Sequence, residues 1–131
     1  MPRVSVGLVA EIAAGLCAAQ ASVSPKYFYD AAGSALFARI TRLPEYYLTR
    51  TEATIIGTHG EEMARQIGPG ATVIELGAGN CEKASALCAM IEPRCFVAID
   101  ISADFLHQAV DGLRDAFPSL DIRPLVADLL G

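Results

Sequence analysis

Residues 71–79 read Ala-Thr-Val-Ile-Glu-Leu-Gly-Ala-Gly (ATVIELGAG), and this stretch decides the fold. Residues 72–76 are apolar or β-branched at every position but Glu75, as in a parallel strand buried on both faces. Gly77-Ala78-Gly79 then supplies a tight turn, and residues 80–91 are compatible with a helix. In open α/β sheets, ligands sit beyond the carboxyl ends of such strands. The glycine turn is therefore the candidate ligand loop.

Downstream, Glu92-Pro93-Arg94 reads as a turn and residues 95–99 (CFVAI) as a second strand ending in Asp100. Ser102 can cap a third helix over residues 103–117, with Phe105, Leu106, Ala109, Val110, Leu113 and Phe117 on its apolar face. Pro118-Ser119 ends it, and residues 121–126 form a third strand. Pro124 has no N–H for a ladder, which places that strand at an edge. Ala127-Asp128-Leu129 follows. This β-α-β-α-β alternation predicts right-handed crossovers and a parallel sheet.

Upstream the reading is helical. Val9, Ile12, Leu16 and Ala19 recur at helical spacing, so residues 1–21 are expected to form an amphipathic helix. A secretion signal is the alternative, but Glu11 interrupts the apolar run and only Arg3 precedes it. Ser24-Pro25 breaks the helix. Leu36, Phe37, Ile40 and Leu43 then make a helical stripe with Ser34 as a possible N-cap, ended by Pro44. Thr49 and Glu52 fit a capping box for a helix to about residue 67, stopped by Gly68-Pro69-Gly70. The expected fold is thus α/β, a partial Rossmann-like sheet of three parallel strands with crossover helices. Residues 1–70 form an N-terminal helical segment and residues 71–131 the first half of a Rossmann-like domain.

Composition narrows the partners. At 131 residues the chain is expected to form one domain, and its 53% apolar content suffices for a core. A net charge of −5 gives no support for nucleic acid or an anionic membrane, both of which need basic surface. No segment is long and apolar enough to span a bilayer. Cys17, Cys81, Cys88 and Cys95 contain no C-x-x-C pair, so no metal site is expected, and reduced thiols in a cytoplasmic protein are the simplest reading. Cys81, near a helix N-terminus, is a candidate for a lowered pKa. His59 and His107 match no motif and read as surface residues.

Two ligands compete for the loop. The dinucleotide fingerprint G-x-G-x-x-G is met at Gly77 and Gly79, but Glu82 stands at the third glycine position. A glutamate there would repel a pyrophosphate. S-adenosylmethionine carries a sulfonium cation and no phosphate, so an acidic loop suits it better. Asp100, ending the second strand, can accept hydrogen bonds from both hydroxyls of a ribose, and Asp128 stands where side chain or backbone can reach an adenine. The bland alternative is that both aspartates only cap helices.

The run PKYFYDAAGSALFARITRLPEYYLTRTE, followed by ELGAGNCEK and DISADFL, resembles the histidine-specific methyltransferase family, which includes the enzyme that trimethylates histidine in ergothioneine biosynthesis. The resemblance covers about residues 5–130. It implies a class I methyltransferase fold and S-adenosylmethionine as cofactor. By position it implies a cofactor loop at Gly77, Gly79 and Lys83, with Lys83 pairing the carboxylate of the methionyl tail. It further implies Asp100 at the ribose, Asp128 and Leu129 at the adenine, and Tyr46 on the amino-acid substrate. Arg50 would anchor the loop between helices. Leu48 stands where the family usually has proline, Asn80-Cys81 replaces small hydroxyl residues, and Leu129 replaces the more usual phenylalanine.

Members of that family are longer than this chain, and the remainder would hold further strands and most histidine contacts. The resemblance implies no catalytic residue in this chain. The implied activity is methyl transfer to the α-amine of histidine or a related amino acid. A non-catalytic cofactor- or partner-binding remnant is the second reading and a nicotinamide-dependent oxidoreductase the third. A strand that belongs in mid-sheet but lacks a neighbour has an open edge, so self-association is expected.

Overall fold

The computed structural model describes residues 6–129. Five helices and a three-stranded sheet follow in the order α1 (Val6–Leu16), a 3-10 turn (Pro25–Phe28), α2 (Ala31–Ile40), α3 (Leu48–Ile67), β1 (Thr72–Leu76), α4 (Glu82–Ile91), β2 (Cys95–Asp100), α5 (Ala103–Ala116) and β3 (Asp121–Val126). The sheet order is β1-β2-β3, all parallel, with Thr72 opposite Cys95 and Cys95 opposite Asp121. The Rossmann-like α/β reading holds, and Pro124 lies on an edge strand as its missing N–H requires.

Both crossover helices cover one face of the sheet. Val73, Phe96, Ala98 and Ile122 point into a core completed by Ala84 and Cys88 of α4 and Leu106, Val110 and Leu113 of α5. Phe96, Leu106 and Val110 are its largest fully buried side chains. The other face is bare: Ile74 is 60% exposed, Leu76 65% and Leu125 50%. A strand with this composition was expected to be buried on both faces, and β1 is covered on one only. Helix α3 packs beside α4, where a Cβ on Gly60 would collide with Met90 Sδ. The Met90 side chain fills the space left by the missing side chain at Gly60, a residue that weakens α3 locally.

The N-terminal elements depart from expectation in detail. Helix α1 ends at Leu16, and its half-buried positions are Leu8, Ile12 and Gly15 rather than the stripe Val9, Ile12, Leu16 and Ala19. Residues 1–5 of the expected first helix lie outside the described residues. Helix α2 is capped by Asp30, whose Oδ1 accepts the Gly33 N–H at 2.7 Å. Ser34, the expected cap, is instead buried inside the helix, where its hydroxyl donates to the Tyr29 carbonyl. Leu36, Phe37 and Leu43 remain exposed. Helix α3 starts at Leu48 with Tyr47 at its N-cap and no side-chain cap bond, which puts Thr49 inside the first turn, and Glu52 pairs with Lys83 of α4 instead. Arg50 donates to the Leu43 and Pro44 carbonyls and holds the preceding loop, as expected. No helix among the described residues is long and apolar enough to cross a membrane.

Candidate functional site

The carboxyl ends of all three strands open onto one cleft of about 360 Å³. Gly77 and Gly79 follow β1, Asp100 and Ile101 end β2, and Ala127, Asp128 and Leu129 follow β3. Phe105 of α5 forms part of the floor. The opposite wall comes from the N-terminal segment: Pro25, Lys26 and Tyr29 at the 3-10 turn, and Ser34 and Phe37 of α2. The lining is mostly apolar, with the two aspartates and Lys26 as its charges. Small-ligand sites commonly combine such walls with a few placed polar groups.

The glycine turn is built by backbone geometry. Gly77 (φ 71°) and Gly79 (φ 54°) are left-handed, which strains any other residue, and nothing lies within 4 Å of a Cβ placed on Gly77. The N–H groups of Gly77 and Ala78 both donate to the Ile99 carbonyl, at 2.8 and 3.0 Å, and tie the turn to the end of β2. Asp100 completes the tie. Its Oδ2 accepts the Gly79 N–H at 2.9 Å, and its Oδ1 accepts the Ser102 N–H at 3.0 Å. One carboxylate therefore braces the loop after β1 and the start of α5. Each oxygen keeps a further acceptor position, since a carboxylate offers about four. Cys81 sits at the N-cap of α4 in the left-handed region (φ 57°), and Asn80 Oδ1 takes the Glu82 N–H. Ser102, expected to cap α5, makes no side-chain cap bond, and Asp100 serves that helix start from two residues back.

Lys83 lies outside the cleft lining. Its Nζ pairs with Glu75 Oε1 at 3.0 Å and with Glu52 Oε1 at 3.3 Å. Glu75 is only 7% exposed, and its Oε2 is buried without a hydrogen-bond partner. Burial raises the Glu75 pKa, opposed by the Lys83 ammonium. Burial works against the charge of Lys83, but Glu75 and then Glu52 outweigh it and raise its pKa. At the other end of the cleft, Lys26 bridges Glu11 of α1 (3.0 Å) and Asp128 (3.4 Å). Pairing with Glu11 raises the Lys26 pKa.

The structure thus gathers Gly77, Gly79, Asp100, Asp128 and Leu129 around one cleft and leaves two expected residues outside its lining. Tyr46 is half-buried behind Phe37, ring edge to face at 5.9 Å, and Phe37 in turn meets Tyr29 at 6.1 Å. Lys83 is held by Glu75 and Glu52 instead of lining the cleft. Sequence reasoning missed Lys26, Tyr29 and Phe37 as cleft residues. Their only signal was membership of the run PKYFYDAAGSALF, because nothing in periodicity folds that run over distant strand ends. The thiol of Cys81, a candidate for activation, goes the other way: it is 3% exposed, and burial pushes its pKa up to about 11. Cys88 is likewise pushed up to about 11 by burial. None of the four cysteines is in a disulfide, and Cys17 alone among them is exposed. His59 and His107 are both exposed.

A parallel sheet with a glycine turn after its first strand and aspartates after its second and third defines a partial Rossmann-like α/β fold. The chain belongs to the histidine-specific, S-adenosylmethionine-dependent methyltransferase family, which it matches over residues 8–130. It is 41% identical over 122 residues to the histidine N-alpha-methyltransferase of Mycolicibacterium smegmatis, covering 90% of this chain and 38% of that protein. The histidine N-alpha-methyltransferase of Mycobacterium tuberculosis is 35% identical over the same coverage. A 4-dimethylallyltryptophan N-methyltransferase of Claviceps purpurea is 31% identical over 77% of this chain and 30% of its own length. The chain therefore spans well under half the length of these relatives.

Proposed function

We propose that this chain is the cofactor-binding portion of an S-adenosylmethionine-dependent N-methyltransferase acting on the α-amine of histidine or a related amino acid. The observation that carries this reading is the Asp100 carboxylate. It is held by two backbone N–H groups at the rim of a cleft that also receives Gly77, Gly79, Asp128 and Leu129. The donor set fits an adenosyl ligand. Asp100 has acceptor capacity left for two ribose hydroxyls, the space beside Gly77 admits a ligand against the backbone, and Asp128 with Leu129 stands at the adenine end. Lys83 is the residue for the carboxylate of the amino-acid tail. Two carboxylates and one ammonium in the cleft wall favour a cationic ligand over a pyrophosphate, and Glu82 in place of a third glycine weakens the nicotinamide reading.

The cofactor, when bound, supplies a methyl group on a sulfonium, open to in-line displacement by an amine lone pair. The chain's own part is to bind and orient. Fixing the reacting partners can be worth about 7–11 kcal/mol. The tyrosine-bearing loop before α3 is the substrate side, with Tyr46 an orienting residue. The relatives named above methylate histidine or a substituted tryptophan by their names, which supports an amino-acid acceptor. A cofactor-binding module without turnover is the second reading. Its support is that Tyr46 stands behind Phe37 rather than in the cleft wall.

Calorimetric titration with S-adenosylhomocysteine and with NAD, followed by a methyl-transfer assay on histidine, tests these readings. Binding of the first and not the second supports the adenosyl-sulfonium site, binding of NAD alone overturns it, and binding without transfer selects the second reading. Four cysteines outside disulfides support a reducing, cytoplasmic location. The open β1 edge and its bare apolar face support association of two copies, and a strictly monomeric elution in size-exclusion chromatography would count against it.

A further inference from the structure

Lys83 has two carboxylate partners, and they differ in kind. Glu75 grows from the centre of β1 and is 7% exposed, with one oxygen on Lys83 and the other buried without a hydrogen-bond partner. Loss of Lys83 would leave that charge uncompensated, so the Glu75–Lys83 pair is fixed. Glu52 is on the first turns of α3, its side chain 53% exposed, and it reaches Lys83 at the longer distance of 3.3 Å. Water can solvate Glu52 as soon as it lets go. The Lys83 side chain is itself 37% exposed, so it is not sealed in the core as Glu75 is.

We infer that Glu52 is an exchangeable occupant of an anion site whose permanent wall is the Glu75–Lys83 pair. In the free protein Glu52 holds the Lys83 ammonium near the glycine turn. A free carboxylate on an adenosyl ligand displaces it, and Glu75 stays in place to keep the ammonium charged and aimed. Glu52 is then a positioning residue that competes with the ligand. The inference rests on the reading of the cleft as an adenosyl site. It assigns Glu52 and Glu75 roles that the glycine turn and the two aspartates do not fill. Glu82, also on the first turn of α4, is exposed and makes no contact with Lys83, so it is not the competitor.

The test compares two ligands that differ only in the tail. S-adenosylhomocysteine carries the amino-acid carboxylate; 5′-methylthioadenosine has the same adenosyl thioether and no carboxylate. Each is titrated calorimetrically into the full chain and into its Glu52→Gln and Glu52→Ala variants. An exposed ion pair that no longer competes corresponds to about two- to fivefold tighter binding of S-adenosylhomocysteine, with the affinity for 5′-methylthioadenosine unchanged. The Lys83→Met variant should weaken S-adenosylhomocysteine alone. Unchanged or weaker S-adenosylhomocysteine binding in both Glu52 variants overturns the inference, as does an equal shift for both ligands, which would make Glu52 merely structural. Failure of the unaltered chain to bind either ligand removes the reading of the cleft, and this inference with it. Binding of 5′-methylthioadenosine by the unaltered chain, with an S-adenosylhomocysteine affinity that does not respond to Glu52, removes the inference alone.

Discussion

Replacing Asp100 by asparagine separates its two duties. The carboxylate accepts the Gly79 N–H at 2.9 Å and the Ser102 N–H at 3.0 Å, and its remaining acceptor positions face the cleft. Asparagine keeps the shape and one acceptor oxygen but turns an NH2 group toward the second N–H. One charge-assisted hydrogen bond is lost and one N–H is left partly unsatisfied, which costs about 1–3 kcal/mol of stability. For a chain of this size that is a fall in Tm of roughly 3–12 °C. Binding suffers separately. Two ribose hydroxyls donating to a carboxylate are each worth about 1.5–3 kcal/mol, and asparagine retains at most one of them, without its charge. The expected loss of about 2–4 kcal/mol is a weakening of roughly 30- to 1000-fold for S-adenosylhomocysteine. The assay is titration calorimetry at a temperature where a thermal melt shows both proteins folded. An Asp100→Asn protein that melts lower but binds within threefold of the unaltered chain would refute the ribose assignment and leave Asp100 as a loop brace. An unchanged Tm would refute the bracing argument.

Lys83→Met should destabilise the fold by about 1–3 kcal/mol, because Glu75 loses its partner in a buried position, the figure being reduced for the exposure of Lys83. Adding Glu75→Gln should recover much of that loss in urea melts, and non-recovery would show that Lys83 contributes by packing alone. Leu106→Ala, at 0% exposure in the core, should cost about 2–5 kcal/mol, whereas Ile74→Ala on the bare face, 60% exposed, should cost less than about 1 kcal/mol. Equal costs would show that the outer face of β1 is covered in solution. The Cys81 and Cys88 thiols, raised from near 9 to about 11, keep their protons when the unfolded chain has lost them. Stability is therefore full below pH 9 and lost as pH rises toward 11, by roughly 2 kcal/mol per thiol. Denaturant melts across that window should show a shallower slope in the Cys81→Ala/Cys88→Ala variant, and an equal slope would contradict the thiol account.

The Rossmann-like half was legible because its signals are local and mutually consistent. An apolar run, two glycines that need left-handed backbone, and Pro124 on an unpaired edge each constrain one choice, and they agree. The same locality explains why Asp100 and Asp128 could be placed: in a parallel sheet every strand delivers its carboxyl end to the same rim, so position after a strand is already position in space. The N-terminal half lacks that property. Asp30 and Ser34 are both good N-cap residues four positions apart, and sequence alone does not decide between them. The choice is made by burial of Ser34 against the Tyr29 carbonyl. Thr49 and Glu52 satisfy a capping-box pattern, but the helix begins at Leu48, so Thr49 lies inside its first turn, and Glu52 pairs with Lys83, 31 residues on.

Lys83 shows where sequence reasoning about a site reaches its limit. A lysine on the first turn of a helix after a glycine loop is a sound candidate for an anionic ligand group. Whether it is free to act depends on Glu75, whose side-chain direction follows from strand alternation, and on Glu52, which arrives only when α3 packs against α4. At that contact Gly60 faces the outer atoms of the flexible Met90 side chain, which can swing aside for a methyl group but not for a large side chain. The helix contact thus brings a carboxylate to the cation of another element. The anion site is consequently a tertiary property, and a bulky substitution at Gly60, which touches no cleft residue, should weaken the Glu52–Lys83 pair before it disturbs Asp100. Gly60→Leu tests this directly. If α3 is displaced, S-adenosylhomocysteine binding should tighten in the same direction as Glu52→Gln, while 5′-methylthioadenosine is unaffected. A loss of affinity for both would show instead that α3 supports the cleft itself.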